Sequence, residues 1–411
     1  MQHSNQPSVP GSVSDIRMIL QDKCIQAYFQ QVVSVGKKCV CGLEGLIRGT
    51  RAGEVISPRS LFQAAEEQDL TLQLDRICRE RVLQEYGKIY AQHRDKLLFI
   101  NIEAKILDQV SRTGVFARQV KDSGINPGNI VIEINEARVQ DIVALKDFIE
   151  KYRSDGFLIA LDDVGAGFSN LDRIPIAKPD IIKVDTSLVR NIHIDYHKQE
   201  VFKSLIRLAE QTGAFVVAEG VENEEEALQA LRLGAHMIQG FYFSRPAALT
   251  AKDPFVNESI EPVANSFKDY MQKNIRLEVD RRREICRLVQ GITEPFGACA
   301  AYEPELRHII GGHESIECAY VLDETGTQCC DAVFRENMND TRKRLLVCSA
   351  SAGADHSMKN YYYNLASENL EHYITEPYVS PLTGSLCVTV SLPFGAGSSR
   401  RILCLNLKAA L

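Results

Sequence analysis

Between residues 27 and 242, eight short apolar runs alternate with amphipathic stretches, and this alternation restricts the fold more than any other feature of the chain. The runs cover 27–35, 39–47, 97–102, 130–134, 158–161, 181–184, 215–218 and 237–242. Segments of helical period lie between them, among them 60–90, 139–154, 199–212 and 223–233. The last opens on consecutive acids, which the positive end of a helix favours. Gly156, Gly213 and Gly234 stand where helix C-caps belong. Strands alternating with helices call for a parallel sheet, and eight of them in about 230 residues suit a closed barrel. Only Gly36-Lys37-Lys38 separates the first two runs, which is hairpin spacing and makes those strands antiparallel. The expected fold class is therefore α/β, a modified TIM-like (β/α)8 barrel with one strand reversed.

The chain has 411 residues, too many for one average domain. Residues 1–14 are polar with Pro and Gly and are expected to be disordered. The barrel should occupy 15–250 and a linker helix 251–295. Within the linker, 255–292 is one amphipathic stretch carrying Arg281-Arg282-Arg283. A solvated face is the favoured reading of that triplet and a phosphate patch the alternative. Residues 296–411 should form a small α+β domain, with antiparallel strands at 317–322, 344–348, 386–392 and 402–407. The net charge of −7 argues against a general nucleic-acid surface, so no DNA partner is expected, but it leaves room for a phosphate ester held by metals. No apolar run is long enough to span a bilayer, and no signal peptide is evident, so a cytoplasmic location is expected. In that setting the 12 cysteines should be mostly buried free thiols. Cys39 and Cys41 share one strand face, and for them too free thiols are favoured over zinc or redox chemistry.

Nine polar residues stand in these runs or just beyond them: Glu44, Asn101, Glu133, Asp162, Asp163, Lys183, Glu219, Glu222 and Gln239. From Asn101 onward their spacing matches one strand–helix repeat per step, and a barrel gathers such strand ends around one mouth. Carboxylates crowded there would repel and raise each other's pKa values unless a cation joined them. Carboxylates with an Asn carbonyl suit Mg²⁺, Mn²⁺ or Ca²⁺, and adjacent Asp162-Asp163 suits a bridge between two ions, an arrangement used for displacement at phosphorus. Lys183 could hold the attacking water, and Glu219 could be ligand or proton acceptor. Taken singly, each piece has a plainer structural explanation; their ordered joint occurrence is specific.

Residues 16–248 resemble the EAL-domain cyclic-di-GMP phosphodiesterases. The resemblance rests on LEGLIRG, with Glu44-Gly45-Leu46 as the signature triplet, and on NIEA, EINE, LDDVGAGFSN, IIKVD, VAEGVE and IQGFYFSRP. It implies that Glu44, Asn101, Glu133, Asp162, Asp163 and Glu219 bind two Mg²⁺ or Mn²⁺ ions. Lys183 would contact the water and Glu219 would be the general base, with Glu222 and Gln239 in support. Glu136 would steady the DDVGAGFSN loop, which the family uses to couple dimer contacts to metal binding. Gln30, Glu44, Leu46 and Arg48 would meet the substrate. The sequence departs from the pattern at Gly45, Gln31, Glu103-Ala104, Val164, Ala166 and Thr186, none of which removes a ligand. The C-terminal part resembles the PAS/Cache-like module of YkuI-type proteins. Tyr378, Tyr363 and Asp355 are its candidate pocket residues, with core and turn positions the favoured alternative. The implied function is hydrolysis of cyclic-di-GMP to linear 5′-pGpG by a homodimer, modulated by an unknown small ligand or protein partner of the C-terminal domain. The alternative is an inactive cyclic-di-GMP receptor.

Overall fold

The computed structural model describes residues 16–51, 54–135, 138–139, 141–167, 171–250, 253–292, 301–335, 351–368, 370–381, 383–395 and 400–409. The expected tail at 1–14, the expected strand at 344–348 and Glu136 lie outside them. The chain divides into two compact units, one ending at Lys273 and the other beginning at Asn274.

The first unit is built on β1 (Ile25–Ser34), β2 (Cys39–Arg51), β3 (Glu54–Ile56), β4 (Leu97–Ile102), β5 (Ile130–Asn135), β6 (Leu158–Val164), β7 (Ile181–Val184), β8 (Phe215–Ala218) and β9 (Met237–Ile238). Strand β1 pairs antiparallel with both β2 and β9, while β2, β4, β5, β6, β7, β8 and β9 pair parallel in succession. The ring closes into an eight-stranded barrel with β1 as the reversed strand, and β3 extends β2 outside it.

Inside the barrel, Val32, Phe99, Val131, Ala160, Ile181, Val217 and Met237 form one apolar layer. Side chains alternate along a strand, so the residue two positions further on points inward as well. Along the six parallel strands β4 to β9 that residue is Asn101, Glu133, Asp162, Lys183 or, one position past the end of β8 and β9, Glu219 and Gln239. In β1, which runs the other way, it is Gln30, two positions before Val32. A plug of greasy side chains thus carries a polar layer directly above it. A larger apolar shell fills the space between barrel and helices.

Two expected elements differ. The stretch 60–90 is two helices, Pro58–Glu66 and Thr71–Tyr90, because the chain turns between them through Asp69 at φ 57°. The run 237–242 is a strand only at Met237–Ile238, since Gly240 brings the backbone against Val221. A Cβ at Gly240 would lie 2.0 Å from the Val221 carbonyl oxygen, so only glycine fits there.

The helix Ile260–Ile292 runs from the first unit into the second. In it Arg281 donates to the Lys408 carbonyl at 3.4 Å and exposed Arg283 pairs with Asp280 at 3.3 Å. The second unit holds β10 (Ile316–Leu322), β11 (Val333–Phe334), β12 (Tyr373–Ile374), β13 (Tyr378–Val379), β14 (Leu386–Phe394) and β15 (Arg401–Lys408) in one antiparallel sheet. One sheet face is aliphatic and packs on the helix Tyr302–Gly312 and on Ile285, Val289 and Ile292. The opposite face carries Cys318, Tyr320 and Cys404 against Tyr361 and Leu365 of the helix Asn360–Glu368. Of the candidate pocket residues, Tyr378 bonds Thr389 at 2.6 Å, Tyr363 is exposed, and Asp355 caps a turn at Ser357.

His356 is 1% exposed, with Nδ1 facing the Tyr361 hydroxyl at 2.6 Å and Nε2 facing Gln328 Oε1 at 3.0 Å. Gln328 Nε2 donates to the Cys330 carbonyl, so its Oε1 must accept from His356 Nε2–H. Burial, helped by Lys359, lowers the imidazole pKa from 6.5 to about 4. The unfolded chain takes up this proton below 6.5, whereas the folded chain takes it up only near 4. The contribution is fully present above 6.5 and lost as pH falls to 4, for a total of about 3 kcal/mol. Urea unfolding from pH 7 to 4 should show this slope, and His356→Gln should flatten it; an equally steep slope in the variant would refute the assignment.

Candidate metal centre

Lys183 on β7 is 1% exposed and lies at the centre of the polar layer. Its Nζ is 2.6 Å from Glu133 Oε1, 2.6 Å from Glu219 Oε1, 3.3 Å from Asp162 Oδ1 and 3.5 Å from Glu44 Oε2. Four carboxylates from four different strands therefore share one ammonium. Asn101 donates to Glu44 and Glu133 at 2.9 Å each, and Gln239 donates to Glu44 at 2.5 Å and to Gln30 at 3.2 Å. Gln30 in turn donates to the Ser244 carbonyl.

Strict alternation would send Asp162 and Asp163 to opposite faces. Instead the ladder between β6 and β7 slips after Leu161, and Asp163 takes the left-handed conformation at φ 58°. This bulge turns both carboxylates to the mouth. Asp162, Asp163 and Glu219 there offer oxygens all within 4.8 Å of one another. Asn135 donates to Asp163.

The charge balance is visibly incomplete. Burial works against the Lys183 ammonium, yet Asp162, Glu133, Glu219 and Glu44 together hold its pKa well above the usual value. Burial and Glu44 push Glu133 well up, and burial with Asp162 and Glu44 does the same to Glu219 despite Lys183. Burial, Asp162 and Asp185 raise Asp163 to about 6. Burial also opposes the Glu44 anion, but Lys183, Gln239 and Asn101 outweigh it and keep its pKa low. One ammonium does not neutralise five carboxylates. Glu133 Oε1 and Asp162 Oδ1 are buried and meet the Lys183 ammonium at 2.6 and 3.3 Å. An all-oxygen donor set short of positive charge fits hard divalent cations.

A cavity of about 470 Å³ opens from this layer. Glu44, Leu46, Asn101, Asp162 and Asp163 line its inner end, and Arg59, Phe62 and Arg138 line its outer part. Arg48 shares the β2 face of Glu44 and Leu46, with its guanidinium 5.8 Å from the Tyr28 ring. Glu222 does not reach the Lys183 cluster. It lies at the rim, half exposed, paired with Arg190 at 2.7 Å.

Gly45 has a packing reason. A Cβ there would lie 2.3 Å from Val82 Cγ1, on the helix behind β2. Gly45→Ala should cost about 1–3 kcal/mol through overpacking, and adding Val82→Ala should recover most of it. Urea midpoints of the two variants check this; an unaffected single variant would refute it.

One residue escaped the sequence reading. Glu226 is 2% exposed and accepts from the Glu222 and Asn191 amides, both at 2.9 Å. It thereby ties the loop after β8 to the loop after β7. The Asn223-x-x-Glu226 pattern, a capping box, was the available signal, and the Asn223 side chain does accept from the Glu226 amide.

Residues 13–246 match the family described as the EAL domain. The chain is 26% identical over 227 residues to the probable cyclic di-GMP phosphodiesterase PdeB of Escherichia coli, which covers 55% of this chain and 43% of PdeB. It is 25% identical over 319 residues to the EAL-domain protein YkuI of Bacillus subtilis, covering 75% of this chain and 77% of YkuI. The crystal structure of YkuI with cyclic-di-GMP and calcium superimposes with a TM-score of 0.79 over 97% of this chain, at 21% identity. Klebsiella pneumoniae BlrP1, in a calcium and cyclic-di-GMP complex, gives 0.51 at 31% identity over 58% of each chain. The chain thus spans less than half the length of PdeB and about three quarters of YkuI.

Proposed function

The chain belongs to the EAL-domain family, and from that premise we propose that it hydrolyses cyclic-di-GMP to linear 5′-pGpG. The observation that carries the reading is Lys183 among four carboxylates, two of which, Glu44 and Asp162, also line an open cavity. Glu44, Asn101, Glu133, Asp162, Asp163 and Glu219 would hold two Mg²⁺ or Mn²⁺ ions. Such ions, when bound, neutralise phosphate charge and make a bound water a better nucleophile.

The chain's own residues do the rest. Lys183 orients the water and offsets the negative charge that builds up on the phosphate. Glu219, whose burial raises its basicity, takes the water's proton at Oε1 or Oε2. The new oxygen–phosphorus bond forms as the bond to the 3′ oxygen breaks, and that oxygen takes up a proton from solvent and leaves as a hydroxyl. Glu44 and Leu46 at the inner end of the cavity, with Gln30 and Arg48 on the neighbouring strand positions, would position the dinucleotide. A homodimer, and control by the C-terminal unit through a small ligand or protein, belong to the same proposal.

Incubation with cyclic-di-GMP and Mg²⁺ or Mn²⁺, followed by separation of the nucleotides, tests it. Linear pGpG that disappears on chelation supports the reading. Tight binding without turnover in the metal-loaded protein would favour a receptor instead.

A further inference from the structure

Cys39 and Cys41 open β2 at the end of the barrel away from the carboxylate layer. The β1–β2 ladder is irregular here: Val33 pairs with Val40 and Val32 with Gly42, so Cys41 has no opposite residue. Such a bulge re-aims the extra side chain. The two Sγ atoms lie 4.0 Å apart, and both thiols are half-buried, so reagents from solvent can reach them.

We propose that Cys39 and Cys41 form a bidentate dithiolate site for a soft divalent ion of the zinc or cadmium kind, separate from the carboxylate centre. Distance is the main argument. With metal–sulfur bonds of about 2.3 Å, a separation of 4.0 Å corresponds to a sulfur–metal–sulfur angle of roughly 120°. That is close to what tetrahedral or trigonal coordination asks, and the sulfurs need not move. A disulfide at about 2.05 Å would halve their separation and distort the strand.

Chemistry keeps the two centres apart. Thiolates select soft ions, and the all-oxygen layer selects hard ones. Burial and Cys39 hold Cys41 as a thiol, raising it to about 11 against the pull of Lys37 and Lys96. Binding replaces two thiol protons with one dication, so a neutral dithiolate complex forms and both protons leave to solvent. Water completes the coordination from the open side, which makes the ion exchangeable.

The chain supplies a clean readout. Trypsin cutting after Lys38 and Arg48 releases residues 39–48, which contain Cys39, Cys41 and no other cysteine. The full chain, with excess Mg²⁺ on the carboxylates, is alkylated with iodoacetamide in the presence and absence of equimolar Cd²⁺, and the peptide is weighed. Cd²⁺ should slow modification of both thiols by at least about tenfold, leaving Cys24 unaffected. In Cys39→Ser, with an unchanged melting temperature, protection of Cys41 should vanish. Equal alkylation rates with and without Cd²⁺ in the wild type would overturn the proposal. So would protection of Cys41 persisting in the variant, or recovery of the untreated peptide as an internal disulfide.

Discussion

Replacing Lys183 by methionine should lower turnover of cyclic-di-GMP by at least about a hundredfold, the loss typical of removing one preorganised electrostatic contact. It should also destabilise the metal-free protein by about 3–5 kcal/mol at neutral pH, because buried carboxylates lose their shared counter-charge. Methionine keeps the length of the side chain, so packing changes little. The pH dependence follows from the directions of the shifts. Glu133 and Glu219 already have folded pKa values above their unfolded ones. Without the ammonium they rise further, so the folded variant binds protons that the unfolded chain releases. Its stability should therefore recover as pH falls toward 5, and be worst at alkaline pH. Mn²⁺ or Mg²⁺, binding only the folded form, should recover stability as well. Melting curves across pH, with metal and with chelator, check all three statements. A variant as stable as the wild type at pH 8 with chelator would show that Lys183 is not what holds these acids together.

The barrel and its polar layer could be read in the sequence for one physical reason. Strand side chains alternate, so an apolar residue pointing inward, such as Phe99 or Ile181, fixes the direction of the residue two further on, Asn101 or Lys183. The reversed strand was legible from the three-residue Gly36-Lys37-Lys38 gap. Lengths and bends were less accessible. The break at Asp69 depends on one residue in a left-handed conformation, and the early end of β9 depends on how closely Gly240 approaches Val221. Neither is encoded in a hydrophobic period. Glu222 sits in the same VAEGVE motif as Glu219, yet it lies beyond the strand, where the chain has already turned outward to Arg190. The bulge at Cys41 was hidden for the same kind of reason, since a bulge is a property of the pairing of two strands. The C-terminal unit resisted most. Three of its strands are only two residues long, and its Tyr378 and Thr389 meet through sheet pairing that no local pattern announces.

Substitution of Glu219 by glutamine separates two roles that the geometry allows the same carboxylate. As a proton acceptor, Glu219 would contribute about 10²–10⁴-fold in rate; as a metal donor, it supplies one of the oxygens grouped with Asp162 and Asp163. Glutamine keeps a carbonyl oxygen and nearly the same volume but cannot take a proton from water. It also removes one of the anions around Lys183 while leaving an oxygen to face the ammonium. Folding stability without metal should therefore change little, in contrast to the Lys183 variant, while turnover falls by about 10³-fold. Increasing Mn²⁺ distinguishes the causes. If the loss came only from weaker metal binding, saturating Mn²⁺ would bring the rate back. If the lost function is proton transfer, the rate stays low at saturation while cyclic-di-GMP still binds with nearly wild-type affinity. The proposed mechanism requires the second outcome, and full rescue by Mn²⁺ would move the base to another of the carboxylates around Lys183.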